Sequence, residues 1–205
     1  MLLAIDTSAG TSVAVVNDNV GILSEHGESD TRRHAEVIGT LIRRALADAG
    51  IAVTDLTGVA VGMGPGPFTG LRVGIAAARA FALGINQPVI PVVSHDGLAF
   101  GRTEPVLVVT DARRREVYWS AYSGMDAVGL PVRTAGPGLC APDRLAADVP
   151  GFTAYRRVDA EVVSAAAIGL VAQLLQANQR PFASGEALYL RSPDVTLSAG
   201  PKRVS

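Results

Sequence analysis

The chain is poor in the features that mark several function classes. It has one cysteine, Cys140, in 205 residues, so no internal disulfide framework holds it, and a reducing compartment suits it. No cysteine–histidine cluster has zinc-ligand spacing. Charged residues make up 18% and the formal net charge is −1, so no global field draws the chain onto nucleic acid or an anionic membrane. The N-terminus "MLLAIDTSAG" has no basic start, and Asp6 interrupts its apolar run, which argues against a secretory signal. The longest apolar stretches, "VGIAAARAFALGI" and "VVSAAAIGLVAQLL", are short for a membrane span, and the first contains Arg79. These absences predict a cytoplasmic protein without membrane contact.

What is present is apolar and periodic. Hydrophobic residues make up 48%, enough to build a substantial core. "LLAID", "VAVVND" and "VGILSEHGE" read as strands, the first two joined by the turn "TSAGTS". The stretch "SDTRRHAEVIGTLIRRALADAG" reads as a helix that Asp30 or Thr31 caps and Gly50 ends. "LTGVAVG" is a buried strand, a second helix runs to Leu83, and "PVIPVVS" and "HDGLAFG" follow as strand and short helix. The pattern then restarts: "PVLVVTDARRREVYWSAYSG" is strand, turn, strand, ending its first strand in Thr110-Asp111 as the first hairpin ends in Asp6-Thr7. The repeat suggests two related lobes, residues 1–100 and 101–205. The second is thin: "GPGLCAPDRLAADV" as turn and short helix, "AEVVSAAAIGLVAQLLQANQ" as a helix, "EALYLRSPDV" as a last strand, and a flexible tail from about residue 196.

The most unusual stretch is "GMGPGPFTGLRVG", residues 62–74, with five glycines and two prolines. It is not a Walker loop: counting from Gly64 puts Thr69 at the second glycine, and the stretch has no lysine. It is not a dinucleotide fingerprint either, because position 67 is proline, and Pro65 and Pro67 remove two N–H donors from any phosphate nest. A helix start explains it better. Thr69 serves as N-cap, with Phe68 stapled onto Val73. Gly70, Gly74 and Ala78 then share one stripe that either packs on the protein's own sheet or meets a partner's helix.

Asp6 and Asp111 at two hairpin turns would suit a magnesium-nucleotide site between lobes, although a turn aspartate more often caps local backbone. Thr7, Ser8, Gly10, Thr11 and Ser12 are good phosphate donors; the facing "ARRRE" is bulky and charged. Ser94-His95-Asp96 resembles a hydrolase triad in one line, but adjacent side chains on a strand point to opposite faces. Arg32-Arg33, Arg43-Arg44 and Arg113-Arg114-Arg115 either touch RNA phosphates or form solvated faces.

Together "AIDTSAGTSVAVV", "RRHAEVI", "GMGPGPFTGLRVGIAAARAFALG", "DARRREVY" and "YLRSPDV" resemble the bacterial TsaB (YeaZ) family over nearly the whole chain, with proline at 67 where the family usually has serine. The resemblance implies an actin-like α/β fold of two lobes, the second reduced. It implies a noncatalytic dimerisation subunit for threonylcarbamoyladenosine modification of tRNA beside the anticodon. The partners would be a TsaD-like paralogue and a TsaE-like ATPase, with tRNA as substrate of the complex and a homodimer when the chain is alone. TsaD works through a metal held partly by an H-x-x-x-H pair; here "SHDGLAF" keeps His95 but has Ala99 at the second position, so no metal and no catalytic residue are expected. Asp6, Ser8 and Thr11 remain as a vestigial phosphate site, with no cofactor beyond weak ATP or ADP. The family's interface uses the first two helices, here about 31–49 and 70–83, which places Gly70, Gly74, Ala77, Ala78, Phe81, Ile38, Leu41 and Ala45 at the partner surface. The alternatives are a small ATP-dependent kinase or transferase of the actin-like superfamily and, third, a glycoprotease-like peptidase.

Overall fold

The computed structural model describes residues 1–191. Its first sheet contains β1 (Leu2–Asp6), β2 (Thr11–Asn17), β3 (Gly21–Glu28), β4 (Gly58–Gly62) and β5 (Val89–Val92), in the order β3-β2-β1-β4-β5. β1 runs antiparallel to β2 and parallel to β4. Side chains alternate across a strand, so Leu3 and Ile5 face one side of the sheet and Leu2 and Ala4 the other. Both faces are covered, which is why β1 reads as an unbroken apolar run. α1 (His34–Ala49) and α2 (Phe68–Gly84) cover the first face through Ile38, Leu41, Ala45, Leu71, Ile75 and Ala78. α1 stops where Gly50 turns left-handed at φ 65°, a conformation glycine takes without a Cβ clash.

The second sheet repeats the arrangement with one strand fewer. It contains β6 (Val106–Asp111), β7 (Val117–Met125), β8 (Pro131–Cys140) and β9 (Arg156–Ala160), in the order β8-β7-β6-β9. β6 is antiparallel to β7 and parallel to β9, as β1 is to β2 and β4. α3 (Ser94–Ala99) leads into this sheet and packs Ala99 against Val106, Val108 and Tyr122. The other face buries Leu107, Val109 and Trp119 under Val149 and Leu145, the latter from the single-turn α4 (Leu145–Asp148).

Several sequence expectations are corrected. α1 begins at His34, and neither Asp30 nor Thr31 caps it; Asp30 accepts instead from the Arg32 amide, and Thr31 from Arg113. α2 starts at Phe68 with Pro67 before it, so Thr69 is not its cap. Phe68 turns outward, its ring 4.9 Å from that of Tyr189, rather than stapling the helix. The uncharged helix α5 (Ala165–Ala177), assigned by the split at residue 100 to the second lobe, packs on the first sheet through Ala165, Ala166, Ile168, Val171 and Ala172. An uncharged helix needs an apolar face, and Leu2, Ala4, Ala14 and Val16 offer one. β8 takes in the "GPGLC" expected as a turn, and β9 falls where the sequence pattern predicts no element. Residues 186–191 form no strand; they cross α2 as an extended strap, with the Leu188 amide on Met63 O at 2.8 Å and Arg191 paired with Glu116. The tail from about residue 196 lies outside the described residues.

Candidate functional site

The turn between β1 and β2 holds the residues that resemble a phosphate site. Asp6 is buried, and its oxygens are occupied. Oδ1 accepts from the Ser8 amide at 2.8 Å and the Ser8 hydroxyl at 2.6 Å; Oδ2 accepts from the Ser94 hydroxyl at 2.6 Å. Burial pushes the Asp6 carboxyl above its ordinary range, and the bonds from Ser8 and Ser94 pull the other way. Thr7 Oγ1 donates to Gly70 O at 2.7 Å. Thr11 shares a hydrogen bond of 2.7 Å with His34 Nδ1, and Ser12 donates to Glu25 while accepting from the Ala165 amide. Each hydroxyl that could hold a phosphate is bonded inside the protein.

The glycine-rich segment fills the space in front of these groups. A Cβ on Gly66 would lie 2.8 Å from Ser8 Cα, and one on Gly74 would overlap Thr7 Oγ1. The Gly64 amide donates to Ser94 Oγ at 2.9 Å, so the loop, the β1 turn and the start of α3 form one network. The glycines are there because the loop lies directly on the turn. The stripe of Gly70, Gly74 and Ala78 faces inward, its two glycines against the turn that follows β1, with a Gly70 Cβ position 2.6 Å from Thr7 O. Ile38, Leu41 and Ala45 lie in the same core, and Ala77 and Phe81 are half-buried against it. Six of the eight residues placed at a partner surface are therefore buried in the protein's own core, and Ala77 and Phe81 are half-buried beside them. The 3.6-residue period locates an apolar face but does not say whose backbone it meets.

The linear triad comes apart. Ser94 is bound to Asp6 and to the Gly64 amide. His95 is fully buried, sharing hydrogen bonds with Ser120 Oγ at 2.8 Å and Thr110 Oγ1 at 3.0 Å. Burial, aided by the nearby Arg133 charge, pushes its imidazole down to about 3, so it stays neutral. Asp96 Oδ1 accepts from the Tyr122 hydroxyl at 2.7 Å. Asp111 is exposed and accepts from the Arg113 amide at 2.9 Å, an Asx turn. Sequence reasoning missed Ser94 as the second residue that bonds Asp6. The available signal was its place directly after an apolar strand parallel to β1.

A hairpin with a parallel third strand, repeated in two sheets, defines an actin-like α/β protein. Residues 21–185 match the family model described as TsaD, tRNA N6-adenosine threonylcarbamoyltransferase, and the chain belongs to that family. An uncharacterised protein of Mycobacterium tuberculosis is 40% identical over 197 residues, covering 94% of this chain and 92% of its own length. The Escherichia coli tRNA threonylcarbamoyladenosine biosynthesis protein TsaB is 39% identical over 127 residues, 59% of this chain and 54% of that protein. Among solved structures, a Pseudomonas aeruginosa protein described as similar to peptidase YeaZ superimposes with a TM-score of 0.75 at 27% identity, covering 93% of this chain and 99% of its own.

Proposed function

We propose that the chain is a noncatalytic scaffold subunit in the threonylcarbamoyladenosine modification of tRNA, pairing with a TsaD-like paralogue and through it engaging a TsaE-like ATPase. One observation carries the noncatalytic part: Asp6, Ser8, Ser94 and His95 are buried and bonded to one another or to neighbouring hydroxyls and amides. A catalytic group must reach substrate, and these reach only the protein. Nucleotide binding is correspondingly weak, because ATP or ADP phosphates would have to displace the glycine loop from the Asp6 turn.

The pairing surface remains on α1 and α2 but on their outward faces. Ala35 and Gly39 on α1, and Ala76, Ala80 and Leu83 on α2, are exposed, with Leu83 83% accessible. Small residues beside one large apolar side chain let another helix approach closely and bury it. The chain alone uses the same face to form a homodimer.

Reconstitution tests the reading. Purified chain with ATP, threonylcarbamoyl-adenylate and tRNA is expected to give no modified tRNA until TsaD-like and TsaE-like proteins are added. Ala80→Arg should melt like the parent, because its side chain starts in solvent, yet fail to co-elute with the TsaD-like protein. Modification by the chain alone would overturn the noncatalytic assignment; retained co-elution would overturn the surface.

A further inference from the structure

A cavity of about 310 Å³ opens between the N-terminal ends of α1 and α2, beside the β6–β7 turn. Its formally charged side chains are Arg32 and Arg113, and no carboxylate lines it. Two of the arginine runs in the sequence meet here. Arg113 Nη2 donates to Thr31 Oγ1 at 2.6 Å, which fastens the β6–β7 turn to the start of α1. Arg114 and Arg115 follow on the same exposed turn. The carboxylates nearest in the chain are already engaged. Asp30 accepts from Arg32 Nε at 3.1 Å and Nη2 at 3.4 Å, and Glu36 accepts from Arg33 at 3.0 Å.

Both helices start toward this cavity without a cap. Neither Arg33 before α1 nor Pro67 before α2 supplies a side-chain acceptor, and α2 has no acidic residue in its first turn. The first amides of a helix lack an intrahelical acceptor and carry the positive end of its dipole, so they favour an anion.

His34 sets this cavity apart from a bare pair of helix starts. The residue is 6% exposed, and its Nδ1 shares a hydrogen bond of 2.7 Å with Thr11 Oγ1. Its Nε2 has no hydrogen-bond partner in the protein. Unlike the orphaned Arg133 and Gln173 donors, which are sealed in the interior, Nε2 stays open on the cavity wall. A Cβ on Gly70 would lie 3.0 Å from Nε2, so the bare glycine keeps that nitrogen uncovered. When the Thr11 hydroxyl donates to Nδ1, Nε2 carries the ring proton and donates into the cavity. Burial first, and then the Arg113 charge, hold the imidazole below its ordinary range against the pull of Asp30, so the positive field of Arg113 reaches the ring.

Cations, uncapped helix starts and an open ring N–H on one wall fit a compact anion with several acceptor oxygens. We propose that this cavity is a binding site for a phosphate group, carried by an RNA backbone or by a nucleotide: its oxygens accept from the first amides of α2, the Thr69 hydroxyl and His34 Nε2, with the Arg32 and Arg113 guanidiniums at the rim. The site shares no residue with the Asp6 turn and only Ala35 with the pairing face, so it is tested on the chain alone and does not rest on the scaffold reading.

Inorganic pyrophosphate, titrated into the full chain and followed by NMR, is expected to give saturable amide shifts at Ala35, Thr69 and Gly70 and to move the His34 Nε2 resonance. Arg113→Met should weaken pyrophosphate at least about tenfold, the loss typical of one hydrogen bond to a charged group. Arg44→Met, further along α1 and exposed, removes the same charge away from the cavity and should leave the affinity unchanged. Displacement of pyrophosphate by unmodified tRNA assigns the phosphate to an RNA backbone; displacement by ATP but not by tRNA assigns it to a nucleotide. Absence of saturable shifts, an unmoved His34 resonance, equal weakening by the two arginine variants, or displacement by neither competitor would overturn the proposal. Should Arg113→Met fail to fold, the parent's His34 resonance and the competition decide alone.

Discussion

Gly74→Ala asks the smallest question of the loop-on-turn packing, because it adds one methyl group. Gly74 is buried in the second turn of α2, and a Cβ there would overlap Thr7 Oγ1 and come within 2.9 Å of Thr7 Cγ2. Thr7 cannot simply rotate away, because its hydroxyl is held by Gly70 O at 2.7 Å. Either the helix lifts off β1 or that hydrogen bond breaks. Overpacking costs about 1–3 kcal/mol, and the lost hydrogen bond about 0.5–1.5 kcal/mol. Replacing glycine in a helix returns up to about 1 kcal/mol. The net expectation is a destabilisation of about 1–3 kcal/mol by urea unfolding of the full chain. Gly39→Ala is the control: it lies mid-way along α1, exposed, with nothing within 4 Å of its Cβ position. It should stabilise by about 0.5–1 kcal/mol. Thr7→Ala removes the obstructing atoms, so a double-mutant cycle should return a coupling of about 1–2 kcal/mol between positions 7 and 74. If Gly74→Ala matched Gly39→Ala, or the cycle showed no coupling, the stripe would not face the turn after β1 and the argument for an inward-facing helix would fail.

Two further outcomes follow from the same network. His95 has a native value of about 3 against an ordinary 6.5, so the unfolded chain binds more protons between those limits, and the stability it contributes above pH 6.5 is lost as pH falls toward 3. Parent stability should therefore fall more steeply than that of His95→Gln, by up to about 1.4 kcal/mol per pH unit; Asp6, raised by burial, slopes the opposite way in both proteins, so only their difference isolates the imidazole, and parallel curves would refute its burial as a neutral group. In the β6–β7 turn Arg113, Arg114 and Arg115 all have left-handed φ, of 61°, 53° and 63°; Arg115→Gly should raise stability by about 0.5–1 kcal/mol by thermal unfolding, and a loss would show that the side chain contributes more than its backbone costs.

The hairpin repeat was legible because apolar strands ending in Thr and Asp leave the same local mark wherever they occur. The end of α1 at Gly50 was legible for a similarly local reason. β8 was not: "TAGPGLC" has the composition of a loop, and its pairing depends on Trp119 lying where only Gly138 fits. β9 is a largely exposed run, "RRVDA", which becomes a strand only because β6 offers it an edge. α5 carried a correct helical pattern, but its destination on the first sheet is topology, and topology leaves no trace in periodicity. The face of α2 failed for the same cause. Small residues four apart announce a close backbone, and only the position of Thr7 says that the backbone is the turn after β1.

The residues that look most like chemistry are those the fold has used most completely. Asp6, Ser8, Ser94 and His95 belong to residue types that recur in active sites because they can donate, accept and ionise. Those properties also let them satisfy one another when a cleft is closed. A buried carboxylate without partners would destabilise the first sheet; Ser8 and Ser94 supply them, and the Gly64 amide fixes Ser94 in turn. The glycine loop can then lie against the turn, and the methyl-free faces at Gly66 and Gly74 make that contact close. The side chains of α1 and α2 that stay in solvent, among them Ala35, Gly39, Ala76, Ala80 and Leu83, lie on the opposite, outward faces.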